Sequence, residues 1–204
     1  MRLGLLGGTF DPIHLGHLIV AEAVRTGMGF DSVCFIPAGR PRLRRPPIAS
    51  GRHRLAMVQL AVESNPLFSV STVEIERPGE TYTVDTLEEL RQGTASADDL
   101  FFIMGVDSLR AFHLWREPGR ILELATVVVV KRPGYSATVP DELRSLVPDA
   151  AARLLWASAP QIEISGVELR RRVAQGLSIR YLVPEKVAQY IEAHALYQTP
   201  VAAE

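Results

Sequence analysis

The feature that most constrains this chain is the stretch Leu3-Gly4-Leu5-Leu6-Gly7-Gly8-Thr9-Phe10-Asp11-Pro12-Ile13-His14-Leu15-Gly16-His17. Leu3 to Leu6 is a short apolar run, the pattern of a buried strand. Gly7 and Gly8 are expected to break it with a turn whose backbone approaches a ligand closely. Pro12 carries the loop onward, because proline fits neither a central strand nor a helix interior. Leu15, Leu18, Ile19, Glu22 and Ala23 then fall at helical spacing, which predicts a helix opening near His17. Strand, glycine turn and helix in succession bring backbone amides and the positive end of a helix dipole to one place, where an anion can bind.

His14 and His17 are three positions apart, close enough to face one ligand at that helix start. A cationic side chain there opposes the dipole, so helix stability does not explain the pair, whereas hydrogen bonds to a phosphate do. The alternative is two exposed or capped loop histidines, which the surrounding Gly-Gly-Thr-Phe context disfavours. Two familiar phosphate loops are excluded. There is no Gly-Lys-Ser/Thr, and the glycine spacing is not that of the dinucleotide fingerprint.

At 204 residues the chain suits one α/β domain, 1–204, with a sizeable core. A net charge of −1 makes no global case for nucleic acid or an anionic membrane. The single cysteine, Cys34, lies in an apolar run and reads as a core thiol, and no Cys/His cluster has zinc spacing. No apolar run approaches the ~18 residues of a membrane helix. The chain also starts with a strand pattern rather than a signal peptide. The expectation is a soluble cytoplasmic protein with no metal site of its own.

Further along, Ser32 to Ile36 reads as a second strand. Residues 38–51 form a proline-rich loop carrying Arg40, Arg42, Arg44 and Arg45, with Arg52 and Arg54 following. It is either a solvated surface loop or a mobile phosphate-steering loop; its place after a strand's carboxyl end favours the latter. Ser50 caps a helix to about Ser64, and Phe68, Val70, Val73 and Ile75 suggest a strand. Thr83 or Asp85 can cap the helix carrying Leu87 and Leu90, Asp85 with Glu88 as a capping box. That helix start is either simply well capped or a second anion site.

Leu100 to Met104 reads as a central strand ending at Gly105, and Asp107 follows where a carboxylate suits ribose hydroxyls or caps the next helix. Trp115 is a core or lid residue, or a flat face for a heterocycle. Ala125 to Val130 is a further strand, 135–153 an irregular connection, and Leu154 to Trp156 and Gln161 to Ile164 extended. Ser165 caps a helix bearing Leu169 and Val173, with Arg170, Arg171 and Arg172 near its start, where bound polyphosphate would offset their clash with the dipole. Pro184 starts a last helix to about Leu196. Strands alternating with helices indicate a parallel sheet covered on both faces.

The opening stretch resembles the nucleotidyltransferase signature, in which (S/T)-F-D-P precedes H-x-G-H: here Thr9-Phe10-Asp11-Pro12, then His14-Leu15-Gly16-His17. From Leu3 to about Tyr197 the chain is similar to bacterial nicotinate-nucleotide adenylyltransferases. Thr81 to Leu87 resembles their SYTxxTL, Gly105-Val106-Asp107-Ser108-Leu109 with Trp115 their GxDSL…W, Lys131-Arg132-Pro133-Gly134 their (K/R)RPG turn, and Ile164 to Arg170 the ISSTxIR segment. Gly166 and Val167 replace the usual Ser-Thr, and Pro41-Arg42-Leu43-Arg44 stands for the usual PPHK.

The resemblance implies a single-domain, Rossmann-like doubly wound fold with a C-terminal helical part, 165–197. It implies transfer of AMP from ATP to nicotinate mononucleotide, giving nicotinate adenine dinucleotide and pyrophosphate, with Mg2+ held mainly through ATP phosphates. His14, His17 and Arg170 would be catalytic. Gly7, Gly8, Thr9, Phe10, Arg44, Gly105, Asp107, Ile164 and Ser165 would bind ATP. Tyr82, Thr83, Val84 and Trp115 would hold the nicotinate nucleotide. A homo-oligomer is allowed for, and neither nucleic acid nor membrane is an expected partner. The alternatives are a related enzyme using nicotinamide mononucleotide or phosphopantetheine, or a non-catalytic nucleotide-binding regulator.

Overall fold

Six parallel strands lie side by side among the described residues, which in this computed structural model are 1–41, 46–92, 99–132 and 137–198. They are β1 (Leu3–Gly8), β2 (Ser32–Pro37), β3 (Phe68–Val70), β4 (Leu100–Gly105), β5 (Thr126–Val130) and β6 (Leu154–Ala157), in the order β3-β2-β1-β4-β5-β6. Leu3 pairs with Ser32 on one side and Leu100 on the other. The chain winds outward from β1 to β3, then returns to the far side of β1. The reversal leaves a crevice at the carboxyl ends of β1 and β4, where open α/β sheets bind ligands.

The connecting helices are α1 (Leu15–Met28), α2 (Gly51–Val62), α3 (Val73–Glu76), α4 (Thr83–Arg91), α5 (Val106–Arg110), α6 (Pro118–Leu124), α7 (Asp141–Leu146), α8 (Gly166–Ala174) and α9 (Glu185–Ala193). Alternation along β5 shows how they cover the sheet. Val128 and Val130 pack with Val24 of α1, Val58 of α2, Leu169 of α8 and Val187 of α9. Val127 and Val129 join Leu87 of α4, Leu109 of α5, Ile121 of α6 and Leu143 of α7 on the other face. Two covered faces explain why the strands read as continuous apolar runs. No described helix is long and apolar enough to cross a membrane.

Several local expectations are corrected. Gly7 and Gly8 do not break the strand: they stay in β1, paired with Ile36 and Pro37. The turn comes after them, where Phe10 takes φ 50° and the Asp11–Pro12 peptide is cis. Gly8 lacks a side chain because the Phe10 ring folds back to 2.8 Å from where a Cβ would stand. The first helix is capped by His14 and starts at Leu15 rather than near His17. Val73 and Ile75 lie in α3, not in a strand, and Gln161 to Ile164 joins no strand. The 135–153 connection contains α7 and a 3-10 turn, Ala150–Arg153; Asp141 and Glu142 favour the start of α7 and Leu143 buries it. The last helix ends at Ala193.

Tyr82, not Thr83 or Asp85, is the N-cap of α4, and it makes no side-chain capping bond. Asp85 lies within the first turn, its carboxylate 3.6 Å from Arg116. By contrast, Ser50 and Ser165 cap as their sequences indicate, accepting from the amides of His53 and Glu168.

Candidate active site

The two histidines are stacked at the start of α1, their ring centroids 3.7 Å apart and their planes 25° from parallel. The His14 amide donates to Nδ1 of His17 at 3.2 Å. This gives His17 a part in holding the helix start, contrary to the expectation that helix stability has no use for the pair. A neutral imidazole accepting at Nδ1 carries its proton on Nε2, which is then the ring's donor. Burial favours the neutral form of both rings. It lowers His14 to about 4, and it takes His17 well below the ordinary histidine range, with His14 nearby adding to the effect. The His14 Nδ1 is buried with no hydrogen-bond partner among the described residues. Phe10 packs its ring edge-on to His17 at 5.0 Å and is itself core, so only its backbone can face a ligand.

Asp11 organises the next layer. Its Oδ2 accepts the Ile48 amide at 2.7 Å, and its Oδ1 accepts the Ala49 amide at 3.1 Å and the Tyr197 hydroxyl at 2.7 Å. Ile48 and Ala49 end the arginine loop, so Asp11 ties that loop to the turn after β1. Arg54 does the same from the other side. Its Nη1 donates to the Thr9 carbonyl at 2.7 Å, its Nη2 to Gly39 at 3.2 Å and its Nε to Ala49 at 3.2 Å. Arg54 is 1% exposed. It therefore belongs to the frame rather than to a solvent-facing field of positive charge, which corrects its grouping with the loop arginines.

Arg170 reaches from α8 to the same place. Its Nη1 donates to the Asp11 carbonyl at 2.6 Å and lies 3.7 Å from the Asp11 carboxylate, while its Nε is buried without a partner among the described residues. Gly166 permits the approach, since a Cβ there would stand 2.9 Å from the Asp11 carbonyl oxygen and 3.3 Å from Arg170 Nη1. The arginines beside it behave differently from expectation. Arg171 and Arg172 occupy the last turn of this short helix, where the dipole welcomes them, and bind Glu168 and the Ser178 carbonyl. Ile164 precedes the Ser165 cap in coil, half-buried.

Across the crevice Gly105 is exposed at the end of β4 and is the N-cap of α5. Asp107, in the first turn of α5, pairs with Arg132 at 2.7 Å. Tyr82, Thr83 and Val84 open α4, with the Val84 side chain in the core, so its amide is the part available to a ligand. The Thr81 amide donates to the Arg40 carbonyl at 3.2 Å, which joins the first turn of the arginine loop to this helix. Trp115 is half-buried, edge-on to Phe112 at 5.2 Å and to Phe102 at 6.0 Å. The neighbouring Arg116 guanidinium lies over the Tyr82 ring at 4.8 Å. Arg42, Leu43, Arg44, Arg45, Pro133 and Gly134 lie outside the described residues.

Sequence reasoning missed three residues of this assembly. Asp11 was visible only as a letter of a motif, Arg54 only as one more loop charge, and Tyr197 only as the end of the resemblance. Nothing in local spacing could have joined residues 186 positions apart.

A switch-point crevice with two imidazoles and an arginine at converging helix starts, in an α/β fold, is an arrangement that can bind nucleotide phosphates. The cytidylyltransferase-like family profile matches residues 5–172. The chain is 47% identical over 197 residues to a probable nicotinate-nucleotide adenylyltransferase of Roseiflexus sp. (strain RS-1), covering 96% of this chain and 98% of that one. A protein of the same description from Thermomicrobium roseum is 48% identical over 202 residues, covering 97% and 92%. The chain belongs to the cytidylyltransferase-like family and, within it, to the nicotinate-nucleotide adenylyltransferases. Its fold matches that of Plasmodium falciparum nicotinic acid mononucleotide adenylyltransferase complexed with NaAD, with a TM-score of 0.74 and 97% of each chain covered at 17% identity.

Proposed function

We propose that this protein transfers AMP from ATP to nicotinate mononucleotide, releasing pyrophosphate and forming nicotinate adenine dinucleotide in NAD biosynthesis, as one domain spanning 1–204. The observation that carries the reading is the stacked histidine pair at the start of α1, in which the His14 amide occupies His17 Nδ1 and burial favours neutral rings, so that Nε2 is the donor His17 has left for an oxyanion.

The nucleophile is a phosphate oxygen of the mononucleotide, already ionised near neutral pH. It needs no general base. The protein's task is to bring two anions together and to stabilise charge on the α-phosphorus during in-line displacement. His14 and His17 hold α-phosphate oxygens. Arg170 and the Ser165 helix start hold the β- and γ-phosphates, and Arg44 closes over them. The backbone of Gly7, Gly8, Thr9 and Phe10, with Gly105, Asp107 and Ile164, positions the adenosine part. Trp115 stacks on the pyridine, and the amides of Tyr82, Thr83 and Val84 accept its carboxylate.

Mg2+ would be held mainly by the ATP phosphates, beside Arg170 and the Ser165 helix start, and would supply charge neutralisation for the leaving pyrophosphate. No group of three or more His, Cys, Asp or Glu side chains is disposed around an ion among the described residues, and the buried Asp11 carboxylate already accepts three hydrogen bonds.

The test is pyrophosphate release from ATP offered with nicotinate mononucleotide, nicotinamide mononucleotide or phosphopantetheine in turn. Release should be fast with the first alone. Equal rates with the amide would overturn the account of the carboxylate, and ATP binding with no release would favour a regulator.

A further inference from the structure

Tyr197 has no part in the chemistry just described, yet it contacts Asp11, which joins the turn after β1 to the end of the arginine loop and to Arg170. Its hydroxyl donates to Asp11 Oδ1 at 2.7 Å. Asp11 in turn accepts the Ile48 and Ala49 amides that end the arginine loop, and its carbonyl accepts Arg170. One buried phenol thus touches the residue that sets both the loop's landing point and the aim of Arg170. Burial and the adjacent Asp11 carboxylate push its ionisation upward, so it remains a donor at any working pH. The backbone of Tyr197 takes φ 61° in the left-handed region, and the side chain is 5% exposed within the core. Such a conformation persists only where the surroundings over-determine it.

We propose that Tyr197 is a positioning residue of the triphosphate site, acting through Asp11 on Arg170 and on the end of the arginine loop. The inference rests on the reading that Arg170 and this loop hold the β- and γ-phosphates. A purely structural role would weaken folding and both substrates alike. A positioning role singles out ATP, because Arg170 and the arginine loop, both anchored on Asp11, are the groups read here as holding its triphosphate.

The experiment compares wild type, Tyr197→Phe, Asp11→Asn, the double variant and Arg170→Ala. Its measurements are steady-state pyrophosphate release, calorimetric binding of a non-hydrolysable ATP analogue, and thermal unfolding. Tyr197→Phe keeps the ring and should raise the KM for ATP and weaken analogue binding by about 5- to 10-fold. The KM for nicotinate mononucleotide should stay within about 2-fold, and Tm should fall by no more than about 5 °C. If the hydroxyl acts through Asp11, the double variant should be no worse for ATP than Asp11→Asn alone. An unchanged KM for ATP in Tyr197→Phe overturns the inference, as do additive effects or parallel losses for both substrates with a large drop in Tm. Arg170→Ala separates the two levels. If it leaves ATP binding intact, the underlying site reading fails and takes the inference with it. If it weakens ATP binding while Tyr197→Phe does not, only the role of Tyr197 fails.

Discussion

The backbone amide of His14 donates to Nδ1 of His17, so the ring expected to meet phosphate also closes the first turn of its own helix. One nitrogen serves the fold, and the other is the one we assign to the substrate. These two duties can be separated by substitution. His17→Ala should lower kcat at least ~100-fold, the loss typical of a removed oxyanion donor. It should also cost about 1 kcal/mol of stability through the lost cap. His17→Gln places at the third helical position a residue that can reach back to the cap amide, so it should recover the stability and not the turnover. Urea denaturation beside single-turnover kinetics checks both.

The buried histidines also predict how stability depends on pH. Folding holds His14 at about 4, below the ordinary 6.5, so between those values the unfolded chain binds a proton that the native protein refuses. Stability is therefore fully present above about pH 6.5 and is lost as the pH falls toward 4, by about 3 kcal/mol at most from this group. His17 is shifted in the same direction. Urea titrations from pH 7.5 to 4.5 should show this slope in the wild type and a shallower one in His14→Asn. Bound triphosphate favours the charged form of His14, while His17 stays neutral as its Nδ1 accepts the His14 amide, so ATP binding near pH 6 should take up protons, which calorimetry in buffers of different ionisation enthalpy will detect.

Arg54 joins Thr9, Gly39 and Ala49 through three carbonyls. Arg54→Met would leave the buried Ala49 carbonyl and the part-buried Thr9 and Gly39 carbonyls without this donor and should destabilise the protein by about 3 kcal/mol. Arg54→Lys should recover little, because a single ammonium cannot span the three directions served by a planar fork. The midpoint of urea unfolding measures the difference.

Gly166 stands where the ISSTxIR segment that Ile164 to Arg170 resembles has serine. Here an added Cβ would press on the Asp11 carbonyl at 2.9 Å and crowd Arg170. Gly166→Ser should therefore raise the KM for ATP, by about 3-fold or more, instead of improving it with a new hydroxyl. An ATP titration at saturating nicotinate mononucleotide decides.

Much of the fold was legible in the sequence. The apolar runs at Leu3, Val33, Leu100 and Val127 mark strands covered on both faces, and the alternation with helical spacing implies a parallel sheet. Ser50 and Ser165 announce their caps because a hydroxyl at that position has one obvious partner, an amide three residues on. Errors fell where two local signals were equally good. Val73 and Ile75 alternate like a strand, yet they fit a single helical turn once β3 has ended at Val70. Gly7 and Gly8 look like a turn, but parallel pairing with Ile36 and Pro37 keeps them extended.

By itself the sequence determined the strand-turn-helix unit, the histidine spacing and the family, since these depend on neighbours within a few positions. Only the tertiary structure decided which charges face solvent and which frame the site. Asp11, Arg54, Arg170 and Tyr197 meet across nearly the whole length of the chain, and their roles follow from burial and from the direction of individual hydrogen bonds. Those quantities exist only after the sheet has brought distant segments together. An arginine read as loop charge thus became the strut beneath that loop.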